Sequence, residues 1–191
     1  MPALHLALDP DADALLSKDP LALLLGMLLD QQFPMEAAFA GPFKLQQRLG
    51  HLDAERIASM DLEELTAAMR QPPVVHRFPG SMAGRVQAVC AVVASEYGND
   101  ASRIWKQAKS GQELLDRLKA LPGFGEQKAK IFVALLGKQL GLKAEGWREA
   151  AGAYGEEGST RSVADVRDKD SLLAVRAFKK EAKAAAKAEK G

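Results

Sequence analysis

Apolar residues recur every three to four positions along most of this chain, and the runs are punctuated by residues that start and stop helices. Asp19-Pro20 pairs a helix cap with a proline at the first helical position. The run over residues 21–29 is apolar on every side, which predicts a helix buried at the centre of the fold. It emerges at Asp30, Gln31, Gln32 and Phe33 and stops before Pro34. A helix over residues 35–49 follows, and Gly41-Pro42 is expected to kink or split it. Asp53 opens a short helix, and Asp61 with Glu64 forms a capping box for another that ends before Pro72-Pro73. The loop at residues 74–80 leads to Ser81, the expected cap of a long helix running to Gly98, with Met82, Val86, Val89, Cys90 and Val93 on its apolar face. Asn99 or Asp100 then caps a shorter helix containing Trp105. Residues 1–18 read as extended and then weakly helical.

The most informative stretch lies further on. Ser110 and Glu113 form a capping box that opens a helix with Leu114, Leu115 and Leu118 on its apolar face. After the turn Leu121-Pro122-Gly123-Phe124-Gly125, helical spacing resumes through Ala129, Ile131, Phe132, Leu135 and Leu136 and ends near Gly137 or Gly141. Glycines at 123 and 125 are expected to turn the backbone through positive φ and to allow a ligand close approach. The first amides of the second helix would then point outward, where they and the helix dipole suit a phosphate. Beyond Gly141 the chain is Gly-rich and polar, apart from a helical turn or two near Trp147, until a last helix opens at Asp168 or Asp170. That helix passes into a Lys/Ala-rich tail, residues 179–191, which favours helix by propensity but has no apolar face and is expected to fray. With no alternating strand pattern and no internal repeat, the expected fold class is all-α.

A chain of 191 residues with 47% hydrophobic content can bury one substantial core or two small lobes sharing one. The single cysteine, Cys90, excludes an internal disulfide and a multi-cysteine metal site, and His76 has no second His or Cys at ligand spacing, so no metal site is expected. The run over residues 21–29 is far too short to span a bilayer and no signal peptide is recognisable, so a cytoplasmic protein with no membrane role is expected. Net charge is only +1, but residues 1–75 hold 5 Lys/Arg against 11 Asp/Glu while residues 76–191 hold 21 against 14. The half that contains the hairpin is therefore the basic one, a distribution that can steer a polyanion.

Leu121-Pro122-Gly123-Phe124-Gly125 and its two flanking helices, residues 111–137, resemble the helix-hairpin-helix motif of the base-excision DNA glycosylases of the helix-hairpin-helix-GPD superfamily. Residues 25–39, with their glutamines, and residues 76–93 resemble further segments of that family in the same order, so the likeness spans roughly residues 20–145. It implies a two-lobed helical domain over residues 1–178, followed by the basic tail. It also implies a monomer whose partner is duplex DNA bearing a damaged or mismatched base, flipped into the cleft between the lobes. No cofactor is implied, beyond a monovalent cation that the hairpin's backbone carbonyls could hold. The iron-sulfur cluster of some members is ruled out by the cysteine count.

Cleaving an N-glycosidic bond builds positive charge on the sugar, which calls for a carboxylate beneath it. In the family this is an aspartate about twenty residues past the hairpin, a register that falls here on Glu145, one methylene longer. Asp165 competes by local context but stands about twenty residues out of register, and reads as a turn or cap. Bifunctional members carry a lysine where this chain has Gln127. Lys128 is offset from it by about 100° around the helix, which should carry its amine away, so no lyase step is expected. The resemblance places Gly123, Phe124, Gly125, Gln127, Lys128, Lys130 and Arg77 against DNA, with Gln31 and Gln32 near the vacated base position. Phe33, Arg77 and Phe78 are candidate wedges that prop open the stack, with the two aromatics alternatively core anchors, and Trp147 stacks on a flipped base or packs between lobes. The reading is a monofunctional glycosylase using Glu145, and its alternative is a DNA-binding or damage-sensing protein without catalysis.

Overall fold

In the computed structural model, which describes residues 3–191, aspartates open helix after helix. Asp9, Asp19, Asp53, Asp61 and Asp168 each accept hydrogen bonds from the first free amides of the helix that follows, and Ser110 does the same. The resulting helices are α1 (Pro10–Lys18), α2 (Pro20–Leu29), α3 (Met35–Leu49), α4 (Ala54–Ser59), α5 (Leu62–Arg70) and α6 (Pro79–Glu96). They continue with α7 (Arg103–Lys106), α8 (Gly111–Lys119), α9 (Glu126–Gln139), α10 (Trp147–Ala151) and α11 (Lys169–Lys190). Two short 3-10 turns, Gly152–Gly155 and Val163–Asp165, join the last two. The described residues contain no strand, so the fold is all-α.

Every residue from Leu21 to Leu29 is buried, as the unbroken apolar run predicts. Each buried leucine contributes about 2 kcal/mol by leaving water. Helix α2 packs on α1, α3 and α6, while α4 and α5 lie on α6. The hairpin helices α8 and α9 pack on each other and on α10, and the 3-10 turns cover α9. Helix α11 is fastened by buried Leu172 and Val175 and by a double contact of Arg176 with the Glu36 carboxylate of α3.

Several local expectations are corrected by packing. Gly41-Pro42 does not split α3, which runs unbroken with Pro42 inside it. A Cβ at Gly41 would come within 2.8 Å of Leu29 Cδ1, so this face presses against α2, and its burial offsets the amide bond that proline removes. The long helix begins at Pro79 with Phe78 at the cap position, two residues before Ser81. The tail stays helical to Lys190, because its first turns are already nucleated against the body and the Ala/Lys/Glu sequence only has to propagate. Only Gly123 of the hairpin pair takes positive φ, at +80; Gly125 is extended, φ −76 and ψ 177, because one reversal suffices for the turn.

The far end of the hairpin unit is held by contact between backbones. Gly111 N–H donates to Glu145 O at 2.7 Å, and a Cβ on Gly111 would come within 2.4 Å of Trp147 Cα. Backbone cannot swing aside as a side chain can, so Gly111→Ala should cost about 2 kcal/mol through overpacking. A thermal melt unchanged from the parent would show that the 140–147 segment is free to move off α8.

Candidate nucleic-acid interface

Leu121 closes α8 and is buried, and Phe124 N–H donates back to Leu121 O at 3.1 Å, which forms the tight turn. Phe124 is only 4% exposed and meets Phe132 edge to face, so it anchors the turn and does not reach outward. Gly123 lies so close to α2 that a Cβ would come within 2.7 Å of Leu28 Cδ1, with Arg85 of α6 on its other side. Gly125 carries no capping side chain, and the first bond of α9 is Ala129 N–H to Gly125 O at 3.0 Å. The amides ahead of Ala129 therefore open outward from an uncapped helix start. Nothing lies within 4 Å of a Cβ built on Gly125, so the chain itself leaves that approach open.

Beside those amides lies a cleft of about 550 Å³ between the end of α2, the start of α9, the first 3-10 turn and α11. Its apolar wall includes Met27, Ile131 and Phe178, and its polar groups are Asp30, Gln127, Lys128, Tyr154, Arg161 and Lys179. Three cations against one carboxylate give it a positive balance. Lys128 does not point away, as its offset from Gln127 suggests. It reaches across to the end of α2, where Lys128 Nζ donates to Leu28 O at 2.9 Å, 5.9 Å from the Phe124 ring centre. Burial lowers its pKa to about 8, with Asp30 pulling it up and Arg85 pushing it down. Gln127 also faces the cleft and donates to Tyr154 Oη at 3.0 Å.

Asp30 ends α2 and its carboxylate takes part in no hydrogen bond among the described residues, yet no buried side-chain polar atom there lacks a partner, so its oxygens are reached from the cleft. Burial raises its pKa; Lys179 and Lys128 pull it down, and Glu36 pushes it up. Arg161 lies 5.3 Å from the Phe178 ring centre and pairs with Glu156 at 3.6 Å.

The other candidates are distributed around this site. Gln31 is half-buried; its Oε1 accepts from Arg85 at 3.1 Å and its backbone O bonds His76 Nε2 at 2.8 Å. Phe78 N–H donates to His76 Nδ1 at 3.0 Å, so the proton sits on Nε2 and the ring is a neutral strap between loops. Burial lowers the pKa of His76, with the bonds to Gln31 and Leu29 opposing it. Phe33 stacks on His76 at 5.0 Å as a core anchor, whereas Phe78 is 42% exposed with Arg77 over its face at 5.1 Å. Gln32 is exposed at positive φ, 54°. Lys130 pairs with Glu126 along α9 at 3.3 Å and does not line the cleft.

Glu145 is not brought to this site. It is exposed, tied by its backbone to the start of α8, and does not line the cleft. The ten-residue climb from Gly111 to Leu121 puts it about 15 Å of helix from the turn. Trp147 next to it packs its ring on Gly137, where a Cβ would lie 2.3 Å from Cε3, so it is a packing residue. Asp165 is also structural, as its capping context suggests: it accepts from Lys138 Nζ at 2.7 Å, Ser159 Oγ at 2.8 Å and Arg161 N at 3.0 Å.

Sequence reasoning missed Asp30, Arg85, Tyr154, Arg161 and Lys179. Asp30 carried a signal, a charged group at the exit of an all-apolar helix; the others stand far apart in the chain and meet only on folding. Among the described residues, no group of His, Cys, Asp and Glu could hold a metal ion, and no helix is long and apolar enough to cross a membrane. Neither models of known protein families nor the curated proteins give a match to this chain.

Proposed function

We propose that this protein is a glycosylase-like DNA-repair protein that grips duplex DNA with the hairpin turn, accepts a damaged nucleotide in the adjoining cleft and hydrolyses its N-glycosidic bond. The observation that carries this reading is the continuity of the uncapped start of α9, past the Gly123–Gly125 turn, with a cleft holding Lys128, Arg161 and Lys179 around Asp30. Outward amides and cations suit phosphates. The apolar wall with Phe178, and the Tyr154 ring beside it, suit an unstacked base. The resemblance of residues 111–137 to the helix-hairpin-helix motif points the same way.

A second reading, duplex binding or damage sensing without catalysis, is favoured by one observation: Glu145, at the family register, stands outside the cleft. Two measurements decide. Duplex affinity should fall about tenfold or more between about 50 and 200 mM salt, as expected when several phosphates are neutralised. Base release should appear on at least one duplex of a panel carrying alkylated, oxidised, deaminated and mismatched bases. Binding without release on every duplex selects the second reading, and salt-independent or absent binding overturns both.

A further inference from the structure

The carboxylate of Asp30 is unusual in having cations around it and none bonded to it. Lys128 is committed to Leu28 O at 2.9 Å, and no lysine or arginine nitrogen stands within ion-pair distance of Asp30 among the described residues. The carboxylate also ends α2, whose C-terminal carbonyls add negative potential at the same point. Burial favours the neutral acid and Lys179 and Lys128 favour the ionised one; when ionised, a carboxylate that lines a cleft and is left open by its neighbours stabilises positive charge on whatever fills that cleft. Lys179 and Arg161, whose charges suit phosphate, and Phe178, whose ring suits a base, line the same cleft as Asp30.

Resting on the reading given above, we propose that Asp30, not Glu145, is the catalytic carboxylate, lying under the sugar of a nucleotide flipped into the cleft. The C1′–N bond breaks with its electron pair leaving on the base nitrogen, and Asp30 balances the positive charge left on the sugar ring. A water adds its oxygen to C1′ and gives a proton to the Asp30 carboxylate, and the released base takes up a proton from solvent, which Asp30 returns as it ionises again. Lys128 is held on the Leu28 carbonyl and forms no ion pair with Asp30.

The charge can be read without turnover. A duplex with a protonated pyrrolidine in place of one deoxyribose carries the cation of the transition state, and a duplex with a neutral tetrahydrofuran residue is its control. By fluorescence anisotropy on the full chain, the parent should prefer the pyrrolidine duplex by about tenfold. Asp30→Asn should bring that preference to within about twofold without weakening the control, Asp30→Glu should keep part of it, and Glu145→Gln should keep all of it. The role of Asp30 is overturned if the parent shows no preference or if Asp30→Asn keeps it, and the choice of Asp30 over Glu145 is overturned if Glu145→Gln abolishes it. Binding of both duplexes without preference leaves the DNA-binding reading standing and removes only the role of Asp30, whereas failure to bind either duplex removes both.

Discussion

Gly125→Asp is expected to raise the stability of the protein and to abolish most of its affinity for duplex DNA. Gly125 already has the extended backbone of a helix cap, φ −76 and ψ 177, and nothing occupies the space its Cβ would take, so aspartate fits without strain. Its carboxylate would accept from the open amides at the start of α9 and complement the dipole there, which is worth about 0.5 kcal/mol of stability. Those same amides are the proposed phosphate contacts, and the new charge repels a phosphate. Binding should therefore weaken about thirtyfold, roughly 2 kcal/mol. Most mutations that harm binding harm folding too, so opposite signs in the melt and the titration are a specific signature. A higher melting temperature with unchanged duplex affinity would show that α9 does not hold the phosphate.

Asp165→Ala should be the most destabilising single change, at about 4 kcal/mol. Its side chain and that of Lys138 are only 7% and 8% exposed, and the carboxylate also gathers Ser159 Oγ and the amide of Arg161. Removing the carboxylate strands the Lys138 ammonium in a buried position and frees the segment that carries Arg161 into the cleft. Urea unfolding should show a lower midpoint with an unchanged slope. Asp165→Ala combined with Lys138→Met should recover most of the loss, because the stranded charge goes with it. A loss below about 1 kcal/mol in the single variant would mean that the segment relaxes to hydrate Lys138.

Where local chemistry is strong, the elements were legible in advance. Aspartate caps, the proline after Asp19, the unbroken apolar run of α2, the capping box of α5 and the apolar periodicities of α8 and α9 place those helices where they stand, because each signal acts locally along the chain. Where a tertiary contact outweighed the local preference, the expectation failed. Pro42 survives inside α3 because α2 presses on Gly41, and the tail stays helical because its first turns dock.

The candidate site divides in the same way. The tight turn between α8 and α9 could be read from residues 121–125 because a turn before a helix is written in consecutive residues, and the helical class followed from spacing alone. The sequence by itself determined the all-α class, the buried α2 and the uncapped start of α9. Tertiary structure alone decided which carboxylate faces the cleft. Asp30, Lys128, Arg161 and Lys179 come from four separate segments, and they meet only because the end of α2, the start of α9, the loop before the second 3-10 turn and α11 line one cleft. Glu145 holds the expected place in the chain but not in space, because the backbone contact of Gly111 with the 145–147 segment ties it to the opposite end of the hairpin unit. Side-chain registers persist along a helix, whereas distances across a fold are set by packing that no local pattern encodes.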